Sequence, residues 1–171
     1  QGAKHILVGD LETQAGLTYI KGGLHTEDSV KSLMAQMRDE GRAFELVNQR
    51  QAADLLQVHA QGEARAGDKV FRFEGSNGVS LYLFPRSSFL SSETWERNIA
   101  VFTHAGNQVA VHGAKTVFPA KWDYGKLADA LVSVRDNPSR VAGPGRFGSF
   151  EDVEIRVGVD ESGKISAAYP T

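Results

Sequence analysis

The sequence has no cysteine, few prolines and no long apolar run, and each of these absences excludes a class of protein. Without cysteine there is no disulfide, no thiolate metal site and no cysteine nucleophile. Apolar runs extend over only a few residues, as at 82–84, so we expect no membrane-spanning segment. No signal-peptide pattern is visible either. The 171 residues, 41% of them hydrophobic, suffice for one buried core, and we predict a single domain over 1–171.

The charge balance argues against a general nucleic-acid binder. The net charge is −2 and the isoelectric point is near 6.2, whereas such proteins are usually strongly basic. The first residue is Gln1 rather than methionine. We therefore expect a fragment of a longer protein, although trimming would leave the same start.

The hydrophobic pattern predicts an α+β fold in which helices come early and an antiparallel β-sheet follows. Apolar spacing and Gly or Pro stops predict three helices, at 29–41, 48–60 and 123–138. Alternating apolar residues and turn signals predict strands at 69–75, 78–85, 98–104 and 108–113, with a tight turn at 104–108. A loop over 139–152 and a closing β-hairpin over 153–170 complete the prediction.

A glycine motif and three histidines suggest ligand sites, but the surrounding sequence supports neither. "GPGRFG" at 143–148 matches G-x-G-x-x-G, but no predicted strand precedes it and Pro144 removes a backbone N–H. We interpret it as a surface loop and predict no nucleotide cofactor. His59, His104 and His112 have no recognised metal-ligand spacing, so a structural role is favoured for each, and no metal site is predicted.

His5 and His25 differ in their surroundings. "KHILVGD" brings His5 to a glycine turn, and "KGGLHTED" places two glycines beside His25, where a backbone can approach a ligand closely. Paired histidines suit acid–base chemistry near neutral pH, because the free imidazole titrates near pH 6.5. The residues alone leave a catalytic pair and two ordinary histidines both open.

Three blocks in order resemble the EndoU-type endoribonucleases. "HILVGD…GGLH" resembles the family's first catalytic block, "KTVFPAKWDYGKLADALVSVRDNP" its Phe-Pro-x-x-Trp segment with the following helix, and "VEIRVGVDESGKISAAYP" its closing hairpin. The resemblance covers roughly 3–26 and 115–170, and it is closest to the bacterial branch. It implies an EndoU-like nuclease fold in which 27–112 is a family-atypical insert.

The resemblance also implies roles for individual residues. His5 and His25 would share the acid–base work, with His25 assigned as base and His5 as acid, although the reverse remains open. Lys115 would stabilise the charged phosphorane, and Tyr169 would stack on or hydrogen-bond a base or sugar. Remaining positions assigned to substrate binding are Gly23, Thr26, Ser166 and Lys121. The reaction implied is RNA cleavage by its own 2′-hydroxyl, giving a 2′,3′-cyclic phosphate and a 5′-hydroxyl, with any dependence on a divalent ion left open.

The sequence departs from the family pattern at two places in these blocks. The connection between His5 and His25 is longer than usual, which costs little entropy if it is a flexible loop. Ala167 stands where the family has Thr or Ser, so a hydroxyl is missing. Strand alternation predicts that Ser166 faces away and cannot replace it. We therefore interpret Ala167 as an inactivating substitution or the mark of a low-activity form.

The bacterial resemblance further implies an antibacterial toxin, such as the nuclease tip of a contact-dependent growth inhibition protein. It would be secreted as part of a larger protein and would act in the target-cell cytoplasm. The implied partners are RNA, with tRNA the first candidate, and a cognate immunity protein. Two alternatives stay open, a catalytically dead RNA-binding module and a protein-interaction domain that uses 27–112.

Overall fold

The computed structural model describes residues 9–171, and this part of the chain is a mixed α+β structure with four α-helices and several antiparallel sheets. The helices are α1 (Glu27–Asp39), α2 (Ala52–Ala60), α3 (Ser92–Arg97) and α4 (Tyr124–Asp136). The strands are β1 (Asp10–Gln14), β2 (Leu17–Gly22), β3 (Glu45–Gln49), β4 (Lys69–Glu74), β5 (Ser80–Leu83), β6 (Ile99–His104), β7 (Asn107–His112), β8 (Ala114–Val117), β9 (Arg140–Ala142), β10 (Gly145–Phe150), β11 (Val153–Val159) and β12 (Ile165–Pro170).

Two four-stranded sheets and two hairpins organise these strands. The first sheet is antiparallel, in the order β12-β11-β10-β9. The second has the order β3-β4-β5-β8, with β3 parallel to β4 and the other pairs antiparallel. β1 pairs with β2 and β6 with β7 as separate hairpins. β8 and β12 are therefore edge strands of different sheets.

Helix α4 covers one face of the first sheet. Val153, Ile155 and Val157 alternate along β11 and are buried against α4, as is Ala168 on β12. The residues between them, such as Glu154 and Arg156, point to the opposite face, as the two-residue period of a strand requires.

The second sheet is packed on both faces. Val70 on β4 contributes to the apolar cluster that α1 covers, while Phe71 and Phe73 contribute to the cluster that α2 covers. Three of the six residues of "KVFRFE" are charged, and the buried positions are the three apolar ones between Lys69 and Glu74. β4 therefore contributes to the apolar clusters on both sides of this sheet.

Two of the helices predicted from periodicity and stop signals are confirmed, and their observed ends lie within two residues of the predicted ones. Predicted helix 29–41 is observed as Glu27–Asp39, because Thr26 caps it two residues earlier than expected. Predicted helix 123–138 is observed as Tyr124–Asp136, with Asp123 as its N-cap. The closing hairpin over 153–170 and the turn at Ala105 and Gly106, both with positive φ, are also confirmed.

Three local predictions were wrong. Residues 48–49 end strand β3 instead of beginning a helix, which starts only at Ala52. Residues 139–152 hold strands β9 and β10, and "GPGRFG" contains the turn between them. The supposed loop between His5 and His25 contains the β1–β2 hairpin. Glycine-rich, short or edge strands have weak local signals, so sequence patterns missed them.

The segment 27–112 supplies three of the four strands of the second sheet, and β5 pairs directly with β8 outside it. It also supplies α1, α2 and α3. Within residues 9–171, no helix is long and apolar enough to cross a membrane.

Candidate functional site

A cavity of about 480 Å³ lies where β6, β8 and β12 approach one another. Its walls come from the glycines before His25, the junction between α3 and β6, strand β8 and the end of β12. Three residues predicted to be catalytic line it together, namely His25, Lys115 and Tyr169, and so does Gly23. The cavity therefore joins segments far apart in the chain.

His25 is held in the cavity by the edge of β8. Its carbonyl accepts a hydrogen bond from Phe118 N (2.9 Å), and its ring nitrogen Nδ1 lies 2.7 Å from Thr116 O. A carbonyl can only accept, so Nδ1 carries a proton and Nε2 is the basic nitrogen of the neutral ring. The imidazole is 7% exposed. Its tautomer and orientation are thus fixed by backbone.

A strained turn delivers His25 to this position. Gly23 and Leu24 have φ of 69° and 65°, in the left-handed region that suits glycine but is costly for leucine. Leu24 is completely buried, so packing holds it in this conformation. Strain of this kind is concentrated at functional sites, and here it lies next to the candidate base.

Lys115 lies on β8 and is a buried cation that lines the same cavity as His25. It is 5% exposed, and its ammonium donates a hydrogen bond to Asn98 Oδ1. Burial lowers the pKa of Lys115 from 10.5 to about 8, although the carboxylate of Asp10 acts in the opposite direction. Lys115 is therefore mostly charged at pH 7 and titrates only slightly above it.

Asn98 was missed by sequence reasoning. Its Nδ2 donates to Thr94 O (2.7 Å) at the end of α3, which fixes the amide so that Oδ1 faces Lys115. No local motif marks this residue, because α3 and β8 meet only in the folded chain. Arg97 and the first residues of β6, Ile99 to Val101, line the same cavity and were likewise not predicted.

Tyr169, on β12, forms another part of the cavity wall, next to His25. Its ring centroid lies 5.5 Å from that of His25, with the planes inclined by 31°. Its other neighbour is Arg156, whose guanidinium lies 5.6 Å from the ring centroid. An aromatic ring between an imidazole and a guanidinium is well placed to contact an unpaired base.

Two residues predicted to bind substrate do not line the cavity. Thr26 is the N-cap of α1, where its Oγ1 accepts from Ser29 N (3.1 Å), a role worth about 1 kcal/mol of helix stability. Lys121 is exposed in the turn before α4. The resemblance placed both near the catalytic blocks in sequence, but their side chains are directed elsewhere.

Ala167 and Ser166 also lie outside the cavity lining. Ala167 pairs with Gly158 and shares a sheet face with Tyr169. The expectation that Ser166 points to the other face was wrong, because a β-bulge leaves Ser166 without a strand partner. Its Oγ donates to Gly158 O (3.2 Å). It lies 3.5 Å from the position that a Cβ on Gly158 would take, which is on the same face of the sheet as Ala167.

Of the other histidines that the structure describes, none lines the cavity. His5 lies outside the described residues. His59 is exposed at the end of α2, and His112 Nδ1 lies 2.8 Å from Glu96 O while its ring packs on Trp95. In the part of the chain that the structure describes, no three histidine or carboxylate side chains converge as metal ligands do.

This arrangement combines an oriented base, a buried cation and an aromatic wall. A neutral imidazole can remove a hydroxyl proton, and a cation in a low-dielectric cavity can stabilise developing negative charge. A base and a cation are two of the groups that phosphodiester cleavage by a neighbouring hydroxyl uses. No protein-family model, no curated protein and no solved structure matches the chain.

Proposed function

We propose that this protein is an RNA endonuclease that cleaves by internal attack of a 2′-hydroxyl. The observation that supports this most is the convergence of His25, Lys115 and Tyr169 on one cavity. These three residues were selected from sequence blocks at opposite ends of the chain. Residues chosen at random from distant parts of the chain would not be expected to line one cavity.

In the proposed reaction, Nε2 of His25 removes the 2′-OH proton. The 2′ oxygen then bonds to phosphorus, and the bond from phosphorus to the 5′ oxygen breaks. Lys115 stabilises the phosphorane, and a second acid protonates the departing 5′ oxygen, a role that we assign to His5. The products are a 2′,3′-cyclic phosphate and a 5′-hydroxyl.

The resemblance to EndoU-type nucleases extends the proposal to a biological setting. The protein would be the toxic tip of a larger secreted protein, it would act on tRNA in the cytoplasm of a target bacterium, and a cognate immunity protein would neutralise it. Ile99 and Val101, exposed at the rim of the cavity, offer apolar area on which such an inhibitor could pack.

The test is digestion of total tRNA with mapping of the new termini. We expect cyclic-phosphate ends from the protein, a loss of about 10²-fold or more in rate for His25→Ala, and a similar loss for Lys115→Met. The rate should fall as pH rises through about 8, because the Lys115 ammonium then loses its proton. His59→Ala and Lys31→Met remove one exposed residue of each type and serve as matched controls.

A non-catalytic RNA-binding module is the second candidate, and Ala167 is the observation that favours it. In that case RNA would be bound but recovered intact, both with the natural sequence and with Ala167→Thr. A protein-interaction domain is distinguished by a biological effect that survives His5→Ala and His25→Ala. Cleavage that is unchanged in the His25 and Lys115 variants would refute the proposed mechanism.

A further inference from the structure

Four side chains form a straight row across the first sheet, on the face opposite α4. The strand register pairs Arg140 of β9 with Phe147 of β10, Phe147 with Arg156 of β11, and Arg156 with Tyr169 of β12. Paired residues lie side by side on one face. Guanidinium groups and aromatic rings therefore alternate across all four strands.

The members of this row are in contact. The Arg140 guanidinium lies 3.8 Å from the centroid of the Phe147 ring, and that of Arg156 lies 6.0 Å from Phe147 and 5.6 Å from Tyr169. Tyr169 in turn lies beside His25. We call these four residues the arginine–aromatic row. It begins at the outer edge of the sheet and ends in the wall of the cavity.

Small residues lie beside the row on the same face of the sheet. The neighbouring set of paired residues consists of Ala142, Gly145, Gly158 and Ala167. A Cβ on Gly145 would come within 3.2 Å of Arg156 Nε, and one on Gly158 within 3.5 Å of Arg156 Nη1. The two glycines therefore let the Arg156 guanidinium lie against the sheet.

In the described part of the chain, no carboxylate neutralises the charge of the row. Among residues 9–171, neither Arg140 nor Arg156 makes an ion pair with a carboxylate. Arg140 is exposed and Arg156 is half-buried. Glu154 lies on the same face, two positions before Arg156 on β11, where it pairs with Ser149. Two guanidinium groups without acidic partners favour an anionic ligand.

The spacing suits a nucleotide chain. Adjacent strands are about 4.8 Å apart, so four strands span about 14 Å, the length of roughly three or four stacked nucleotides. Guanidinium groups bind phosphates, and aromatic rings stack on unpaired bases. An alternation of the two recognises a single strand, whose bases are available for stacking, better than a duplex.

We infer that the arginine–aromatic row is a binding track that guides single-stranded RNA into the cavity. Phosphates contact Arg140 and Arg156, and a base on one side of the scissile phosphate stacks on Phe147. The inference rests on the proposed function, because it takes the cavity to be the cleavage site. It adds a specificity for unpaired RNA, which the catalytic residues alone do not supply.

The test measures binding separately from cleavage. The probe is a short fluorescent single-stranded RNA whose 2′-hydroxyls are methylated, so that internal attack is impossible, and a duplex of the same sequence is the second arm. Fluorescence anisotropy is recorded for the natural protein and for Arg140→Gln, Arg156→Gln and Phe147→Leu. Arg50→Gln, an exposed guanidinium far from the row, is the control.

We expect weaker single-strand binding by about tenfold for each arginine variant and about fivefold for Phe147→Leu, and weaker binding of the duplex by the natural protein. The slope of log affinity against log salt should fall by about 0.7 for each arginine removed. Arg140 is at an exposed sheet edge, so its variant should fold, and thermal unfolding checks this.

The outcomes separate the two proposals. If Arg140→Gln and Phe147→Leu bind the probe like Arg50→Gln, the track is refuted, even if unmethylated RNA is still cleaved. If they bind it more weakly while unmethylated RNA stays intact with both the natural sequence and Ala167→Thr, the track stands and the proposed nuclease function is refuted. Equal affinity for duplex and single strand would overturn the specificity.

Discussion

Ala167 is the residue at which this chain departs most clearly from the pattern that it resembles. It lies on the same face as Tyr169, two positions earlier on β12, and pairs with Gly158. The hydroxyl of the neighbouring Ser166 donates to Gly158 O. Ser166 therefore already has a backbone acceptor, and its hydroxyl is not directed into the cavity.

We predict that Ala167→Thr raises the rate of RNA cleavage, by about tenfold or more, because it returns a hydroxyl donor beside Tyr169. The measurement is the initial rate of tRNA digestion at equal protein concentration. Ala43→Thr, at an exposed loop position, is the matched control. An unchanged rate would show that the missing hydroxyl is not what limits this protein.

Single residues also show how far the sequence could predict the site. His25, Lys115 and Tyr169 could be selected because they lie within recognisable blocks. Asn98 could not, since its role depends on α3 meeting β8. Thr26 lies beside a candidate catalytic residue, and a Thr there is equally typical of a helix N-cap, which is the role that the structure shows for its side chain.

At the scale of elements, α1 is attached to its surroundings at both ends. At its start, Glu27 accepts hydrogen bonds from Arg72 (3.0 Å) and from the Tyr82 hydroxyl, and burial together with this bond raises the pKa of Tyr82. After its end, Glu40 accepts from Thr18 N (2.8 Å) and Thr18 Oγ1 (2.6 Å) on β2. Since β2 leads directly to His25, α1 helps to fix the approach to the cavity.

We predict that Glu40 contributes to acid stability. Hydrogen bonds from the side chain and backbone of Thr18 lower the pKa of Glu40 from 4.5 to about 2. Its contribution is therefore present above pH 4.5 and is lost as pH falls towards 2. Urea unfolding between pH 6 and 3 should show the advantage of the natural protein over Glu40→Gln shrinking with acidity.

The matched control for this prediction is Glu161→Gln, in the exposed turn of the closing hairpin. The difference between this variant and the natural protein should change much less over the same pH range. If the curve of Glu40→Gln instead runs parallel to that of the natural protein, the hydrogen bonds to Thr18 contribute nothing that depends on ionisation.

Elements differed in how well the sequence predicted them, for a physical reason. Helices α1 and α4 have their caps, apolar period and stop signals within a few residues, so local patterns were enough. β9 and β10 consist largely of small, exposed or glycine residues, and they form strands because β11 pairs with β10 and β10 with β9. Pairing between distant segments cannot be predicted from a short window of sequence, because it depends on contacts formed in the folded chain.

At the scale of the whole molecule, the cavity lies between edge strands of separate sheets. β8 belongs to one sheet, β12 to the other and β6 to a hairpin, and all three contribute lining residues. The segment 27–112, which the family resemblance would treat as an insert, provides β3, β4 and β5 as well as the Asn98 wall. Core and cavity both depend on it.

We therefore predict that deleting 27–112 and joining its ends abolishes folding. The deletion removes β5, the partner of β8, and most of two of the three apolar clusters. Circular dichroism during heating should show no cooperative transition, whereas the full chain unfolds cooperatively. A deletion protein that unfolds cooperatively would establish 27–112 as a separable subdomain.

The burial of Lys115 has one further consequence, for the energetics of substrate capture. An ammonium whose pKa is about 8 in the empty cavity regains a higher pKa when a phosphate lies against it. For the RNA that we propose as ligand, binding above pH 8 is therefore coupled to the uptake of one proton by Lys115 from the buffer. Capture then weakens by up to about tenfold for each pH unit, which would confine the protein to near-neutral surroundings.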